Sequence, residues 1–261
     1  MQTAERWQPW AGQQGNYMRR ILAFKTIVYD TNLIIPKVSS YSFFQPHSSV
    51  SEESATIKSE QAMVRWLFSC SILKSLIIGE IAGYDTNIVS AIEVQQPIIT
   101  EPNNRPGNID ILICNKFRPE QTIAIESKRA KVVVYQNGSQ KVNKLKEIEK
   151  GIKQANGLQS MGFWKSYLLL LIVIDARLKN GSNVIFKYGQ HSETSSVYEV
   201  PMNASLNRDV GVAYIEIVQP TGKDINKMAL VGICIDKRAQ ELQQGASLTE
   251  RVRTYLNDQR S

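Results

Sequence analysis

The chain has 261 residues, 43% of them hydrophobic and 21% charged, which suits one large domain, or one domain with a small appendage, and speaks against a disordered chain. A formal charge of +7 and a pI near 9.2 draw the protein toward polyanions. His47 and His191 stand alone in polar, Ser-rich stretches, and Cys70, Cys114 and Cys234 lie far apart in apolar runs, so a His-centred triad, a zinc site and a disulfide framework are not expected.

Residues 1–20 read as a loose, Gln-rich arm whose Arg6, Arg19 and Arg20 flank a polar stretch, so a secretory signal is not expected there. Two β-rich pieces follow, at Ile21–Tyr29 and Leu33–Pro36. A Ser-rich loop, Ser39–Ser54, then separates an N-terminal arm and extension (residues 1–50) from the principal domain (51–261). That loop ends at a helix start, with Ser51 as cap and Glu52 and Glu53 in the first turn. Met63, Trp66, Leu67, Cys70, Leu73 and Ile77 form an apolar stripe that predicts a helix over Ala55–Ile81, with a break near Ser69–Ser71 and an end at Gly83.

Three Ile/Val-rich strands are predicted next, at Asn87–Thr100, Asn108–Cys114 and Thr122–Lys128. The connections 102–107 and 115–120 are short, which implies an antiparallel meander. After the Asn137-Gly138 turn a second helix spans Lys141–Met161. Tyr167–Ile174 is a continuous apolar run that fits a central strand covered on both faces, and it is about half the length of a membrane span. The expected setting is cytoplasmic, with no membrane partner. A strand at Asn183–Tyr188, a hairpin of Val210–Val218 and Met228–Cys234 turning through Thr221-Gly222-Lys223-Asp224, and a helix over Lys237–Leu256 complete the chain. Thr221-Gly222-Lys223 lacks the upstream glycine of a phosphate loop, and Asn137-Gly138-Ser139 and Asn203-Ala204-Ser205 are glycosylation patterns without meaning in a cytosolic setting.

In Ile123-Ala124-Ile125-Glu126-Ser127-Lys128 the carboxylate of Glu126 and the ammonium of Lys128 alternate onto one face of an otherwise apolar strand. One strand earlier, Asp110 interrupts Ile109, Ile111, Leu112 and Ile113. Charges in such positions are costly unless paired or bound to a cation. Two carboxylates suit Mg²⁺, which takes few protein ligands, and a lysine beside them can hold the water that attacks a phosphodiester. The bland alternative is an edge-strand ion pair between Glu126 and Lys128, with Asp110 facing solvent.

Asp110 and Glu126-Ser127-Lys128, in the order helix–three strands–helix–strand over roughly residues 55–175, resemble the PD-(D/E)XK nuclease superfamily. The residue before the acid is Ile109, where the family pattern has proline. The resemblance implies an α/β domain with a restriction-endonuclease-like core, a mixed, mostly antiparallel sheet flanked by helices, extended by the C-terminal hairpin and helix. It further implies a Mg²⁺- or Mn²⁺-dependent endonuclease acting on DNA, of restriction or defence type, often dimeric. Asp110 and Glu126 would be the metal ligands and Lys128 would position the water. An RNA-directed or junction-resolving nuclease, and a non-catalytic nucleic-acid-binding module, remain open beside it.

Many members of that superfamily add a glutamate from the first helix, and Glu60 fits this place better than Glu80. Some branches carry a glutamine where Gln154 stands, followed four residues later by tyrosine, which here is Leu158. Between Glu126 and Gln154 there are eight basic residues against three acids, a surplus of five. Such a run is either a solvated helix face or a phosphate track, and in the second case Lys144, Lys150 and Lys153 on the second helix are the expected contacts.

Overall fold

The computed structural model describes residues 20–25, 60–69, 71–83, 86–99, 107–143, 145–175, 196–201, 205–218 and 228–259. The expectations for the N-terminal arm, Leu33–Pro36, the Ser-rich loop with its helix start, Asn183–Tyr188 and the 221–224 turn lie outside these residues. So do Lys144, Cys70, His47 and His191.

The protein is α/β. Strands β1 (Arg20–Lys25), β2 (Ile88–Val94), β3 (Ile109–Asn115), β4 (Arg118–Val134), β6 (Lys165–Asp175), β7 (Gly211–Val218) and β8 (Met228–Lys237) form an open mixed sheet in the order β1-β8-β7-β6-β4-β3-β2, and the short β5 (Gln140–Asn143) pairs with β4. The β4/β6 and β6/β7 pairs are parallel and the remaining five are antiparallel. The parallel β4/β6 step follows from the helix between them, because strands that run the same way need a crossover.

Strand alternation splits the core into two faces. Ile111, Ile113, Ile123, Ile125, Tyr167, Leu169 and Leu171 pack against helices α1 (Glu60–Ser69) and α2 (Ser71–Ala82), through Met63, Leu67, Leu73, Ile77 and Ile81. On the other face Ala130, Val132, Leu168, Leu170, Ile172 and Tyr214 meet helix α3 (Leu145–Ser160) through Ile148, Ile152 and Ala155. Helix α4 (Ala246–Asp258) adds Leu248 and Val252 against Leu112, Cys114 and Ala124. The Tyr167–Ile174 run is the interior of β6, as its unbroken hydrophobicity predicts. The expected helix break is met by the end of α1 at Ser69 and the start of α2 at Ser71.

The structure differs from the sequence expectations at several element boundaries. β4 was expected to stop at Lys128 but runs on to Val134, because Ala130, Val132 and Val134 are fully buried beneath α3. Its start moves back to Arg118, so the expected 115–120 connection shrinks to a turn at Lys116-Phe117. The second helix begins at Leu145 and not at Lys141. Residues Gln140–Asn143 fold back on β4 as β5, after a turn in which Gly138 (φ 79°) donates to Tyr135 O at 2.9 Å.

The closing helix begins at Ala246 and not at Lys237. The Gln-rich stretch before it is held extended by Gln240 N to Asp209 O (3.0 Å), Leu242 N to Trp164 O (2.8 Å) and Gln244 Nε2 to Pro119 O (2.8 Å). β2 ends at Val94, short of Thr100, where the chain turns over residues 96–98. No helix among the described residues is long and apolar enough to cross a membrane.

Candidate functional site

β3 and β4 part company where the charges lie. Their ladder is in register at Ile111↔Ile125, and on the same edge of β4 pairing resumes with β5 only at Lys131↔Asn143. The other edge of β4 is continuously paired with β6. Residues 126–130 therefore face a notch between β3 and β5. Backbone N–H groups that point into such a notch need acceptors.

Carboxylates supply them. Asp110 Oδ2 accepts from Ser127 N at 2.7 Å and from Ser127 Oγ at 3.0 Å. Glu60 Oε2 accepts from Arg129 N at 2.9 Å. Asp110 reaches the notch from the end of β3 and Glu60 from the first residue of α1, so two acids distant in sequence stand where a neighbouring strand would be.

Glu126 and Lys128 alternate onto the α3 face and are 1% and 7% exposed, which rules out an edge-strand pair in solvent. β4 is interior, and Asp110 is half-buried and bonded instead of facing water. Lys128 Nζ donates to Glu126 Oε1 (2.5 Å), to Ser127 O (2.7 Å) and to Glu60 Oε1 (3.3 Å). Asp110, Glu126, Lys128 and Glu60 thus come together, and the acid from the first helix that reaches Lys128 is Glu60. Glu80 sits near the far end of α2.

Three carboxylates around one ammonium leave an excess of negative charge. Burial pushes the Glu126 carboxyl up to about 8, Asp110 adds to the rise, and Lys128 only partly opposes it. Burial also raises Asp110 and Glu60, each against the pull of Lys128. For Lys128 burial acts downward, but Glu126, Glu60 and Asp110 outweigh it and hold the ammonium above its ordinary value. The lysine stays charged while the acids resist ionising together.

Glu93 and Ser127 belong to this site and were not singled out in the sequence. The register Ile92↔Ile111 and Val94↔Ile109 sets Glu93 opposite Asp110, where its charge raises the Asp110 carboxyl. Its φ of 56° is a left-handed conformation that costs a non-glycine residue roughly 1–2 kcal/mol. Arg65 of α1 grips it with two bonds, Nη2 to Oε2 at 2.7 Å and Nε to Oε1 at 3.2 Å. The sequence signal was the one that marked Asp110, an acid between Ile92 and Val94.

Lys150 and Lys153 are exposed on α3, and Lys150 lies 4.0 Å from Glu147. Gln154 is half-buried on the same helix, and its buried Oε1 has no hydrogen-bond partner among the described residues.

The donor set suits a hard divalent cation in its chemistry. Among the described residues Glu126 Oε2 is buried without a hydrogen-bond partner, Asp110 is the neighbouring acid, and both carboxyls are raised even beside Lys128. Among the described residues no three His, Cys, Asp or Glu side chains converge closely enough to hold an ion as they stand. Lys128 Nζ lies between Glu126 and Glu60, so an ion would engage Glu126 through Oε2, the oxygen that Lys128 leaves unused. Comparison of the chain with protein-family models, with curated proteins and with solved structures found no match.

Proposed function

We propose that the chain is a metal-dependent endonuclease that hydrolyses DNA phosphodiester bonds, with a restriction-endonuclease-like core of the PD-(D/E)XK type. The observation that carries this reading is the Glu126 carboxylate, 1% exposed, lifted to about 8 and holding, beside Asp110 and Lys128, an oxygen without a hydrogen-bond partner among the described residues. Strongly shifted, buried ionisable groups with specific charge partners are candidates for chemistry. The order helix–three strands–helix–strand around them supports the same reading.

Asp110 and Glu126 would hold Mg²⁺ or Mn²⁺, which when bound supplies positive charge against the phosphate and its leaving oxygen. Lys128, kept protonated by Glu126 and Glu60, would release its longest bond, 3.3 Å to Glu60, to orient the attacking water at Nζ and offset charge gathering on the phosphoryl oxygens. Glu60 fixes both the ammonium and the Arg129 N–H, and so ties α1 to the reacting strand. The exposed lysines of α3 meet phosphates flanking the scissile bond.

A panel of duplex DNA, branched DNA and RNA, incubated with Mg²⁺, Mn²⁺, Ca²⁺ or EDTA, tests this. DNA is cut with Mg²⁺ or Mn²⁺ and not with EDTA, and Ca²⁺ supports binding without turnover. Cleavage confined to RNA or to junctions would transfer the same site to another substrate, and full activity in chelator would falsify the metal mechanism.

One observation favours a second reading. Lys128 Nζ already has three oxygen partners, as a purely structural ion cluster would provide. A structural cluster takes no divalent ion, so Mg²⁺ would leave the melting temperature of that protein unchanged.

A further inference from the structure

Gly151 stands in the middle of α3, among Ile148, Ile152 and Ala155, which are buried against β4 and β6. Its backbone has no positive φ that would demand glycine, and a glycine inside a helix is unfavourable relative to alanine. The reason for it lies across the helix–sheet contact. A Cβ at position 151 would come within 2.3 Å of Lys128 Cγ and 3.2 Å of both Cδ and Cε. Three successive methylenes of Lys128 therefore run over the bare Cα of Gly151.

We propose that Gly151 is the seat that positions the Lys128 ammonium, a positioning residue for the reaction proposed above. The inference rests on that reading for its catalytic consequence, but not for its geometry. Cγ is the near end of the lysine side chain, fixed by its first torsion angle. A residue with a Cβ at 151 can be accommodated only by turning that torsion or by lifting α3. Lifting α3 opens the contact that Ile148, Ile152 and Ala155 make with Ala130, Val132 and Leu170. Turning the torsion swings Nζ away from Glu126 Oε1, Ser127 O and Glu60 Oε1. Only the turned torsion takes the ammonium from the place where it faces the acids, with Lys128 itself still present, whereas a lifted α3 leaves Nζ on its partners and loosens the core.

A double-mutant cycle on the full chain separates this from a general packing role. In wild type, Gly151→Ala lowers kcat for Mg²⁺-dependent cleavage by on the order of 10²-fold with KM and duplex Kd unchanged, the scale expected for a reacting group misplaced by about 1 Å. In the Lys128→Ala background the obstructing methylenes are gone. There Gly151→Ala leaves kcat unaltered and raises Tm by roughly 2–4 °C, the gain from a better helix former in a domain of this size. In wild type the same substitution does not raise Tm. If Gly151→Ala alone fails to fold, recovery of folding in Gly151→Ala/Lys128→Ala supports the seat, and failure of both overturns it. Equal Tm gains in the two backgrounds, with kcat untouched, also overturn it. A wild type that cuts nothing removes the nuclease reading, whereas the Tm cycle still decides whether Lys128 is seated on Gly151.

Discussion

Lys128→Ala removes the ammonium that joins Glu126 to Glu60. The expected result is a loss of cleavage by on the order of 10²–10³-fold. Duplex affinity stays near wild type, because one charge among many barely alters phosphate contact. Asp110 carries two duties, and two substitutions separate them. Asp110→Asn keeps an oxygen for the Ser127 N–H and removes a charge that Glu126 and Glu60 resist, so cleavage is lost while Tm rises in EDTA. Asp110→Ala also strips the acceptor from a backbone donor in the notch, so cleavage is lost and Tm falls. A Tm for Asp110→Asn no higher than that of Asp110→Ala would mean that the Ser127 contact contributes nothing.

Glu126 makes stability depend on pH. Its carboxyl titrates near 4.5 when unfolded and near 8 when folded, so folding takes up a proton between those values. The sign follows from that uptake. The contribution is fully present below the unfolded value and is lost as pH rises through the folded one. In EDTA, Tm should fall from about pH 5 to about pH 8 more steeply for wild type than for Glu126→Gln. Parallel melting curves across that window would place the Glu126 titration elsewhere.

At this scale the site was legible where charge interrupts apolar alternation, as at Asp110, Glu126 and Lys128. Glu93, between Ile92 and Val94, carries the same interruption, but its place in the site was not legible. The left-handed backbone and the Arg65 grip that give this acid its place arise only when α1 and β2 are brought together.

Among the elements, β3, β6 and the first two helices could be read because their periodicities are strong and one face or both faces are buried. β5 could not. Gln140-Lys141-Val142-Asn143 lacks apolar alternation and is a strand because β4 offers it an unpaired edge. The late start of α4 has a similar cause, since Gln240 and Gln244 form helices readily but are held by bonds to Asp209 and Pro119.

Helix α3 has two distinct faces, with Ile148, Gly151, Ile152 and Ala155 inward and Lys150 and Lys153 exposed, and the proposed function assigns the exposed face to phosphates. Replacing Lys144, Lys150 and Lys153 together by alanine should flatten the slope of log K against log salt on duplex DNA by about two to three units. Sequence preference should persist, because phosphate contacts position the protein while base contacts specify. A salt titration that returns the wild-type slope would move the phosphate track off this helix, most directly to Arg19 and Arg20.

For the molecule as a whole, most of the +7 charge falls in one stretch of sequence, with a surplus of five between Glu126 and Gln154. In the proposed function this basic stretch draws in a polyanion, while the acidic centre takes a cation. The two are compatible only if something neutralises Asp110 and Glu126 as the phosphate arrives, and Lys128 alone does not, since the acids remain shifted upward in its presence. Binding linkage then predicts that Mg²⁺ at about a hundred times its Kd raises wild-type Tm by roughly 5–10 °C, and that Glu126→Gln does not respond. The mixed sheet with helices on both faces was legible from the order of elements. Its full strand order was not, because β1 and β8 enter through pairings between distant segments.

Whether Asp110, Glu126 and Lys128 form a metal-dependent nuclease site is decided by the initial rate of duplex DNA cleavage in Mg²⁺, measured side by side for wild type and Lys128→Ala at matched occupancy of the duplex. Wild type is expected to cut, chelator to stop it, and the variant to be slower by on the order of 10²-fold or more. Equal rates for the two proteins, or a wild-type rate untouched by chelator, would contradict that assignment.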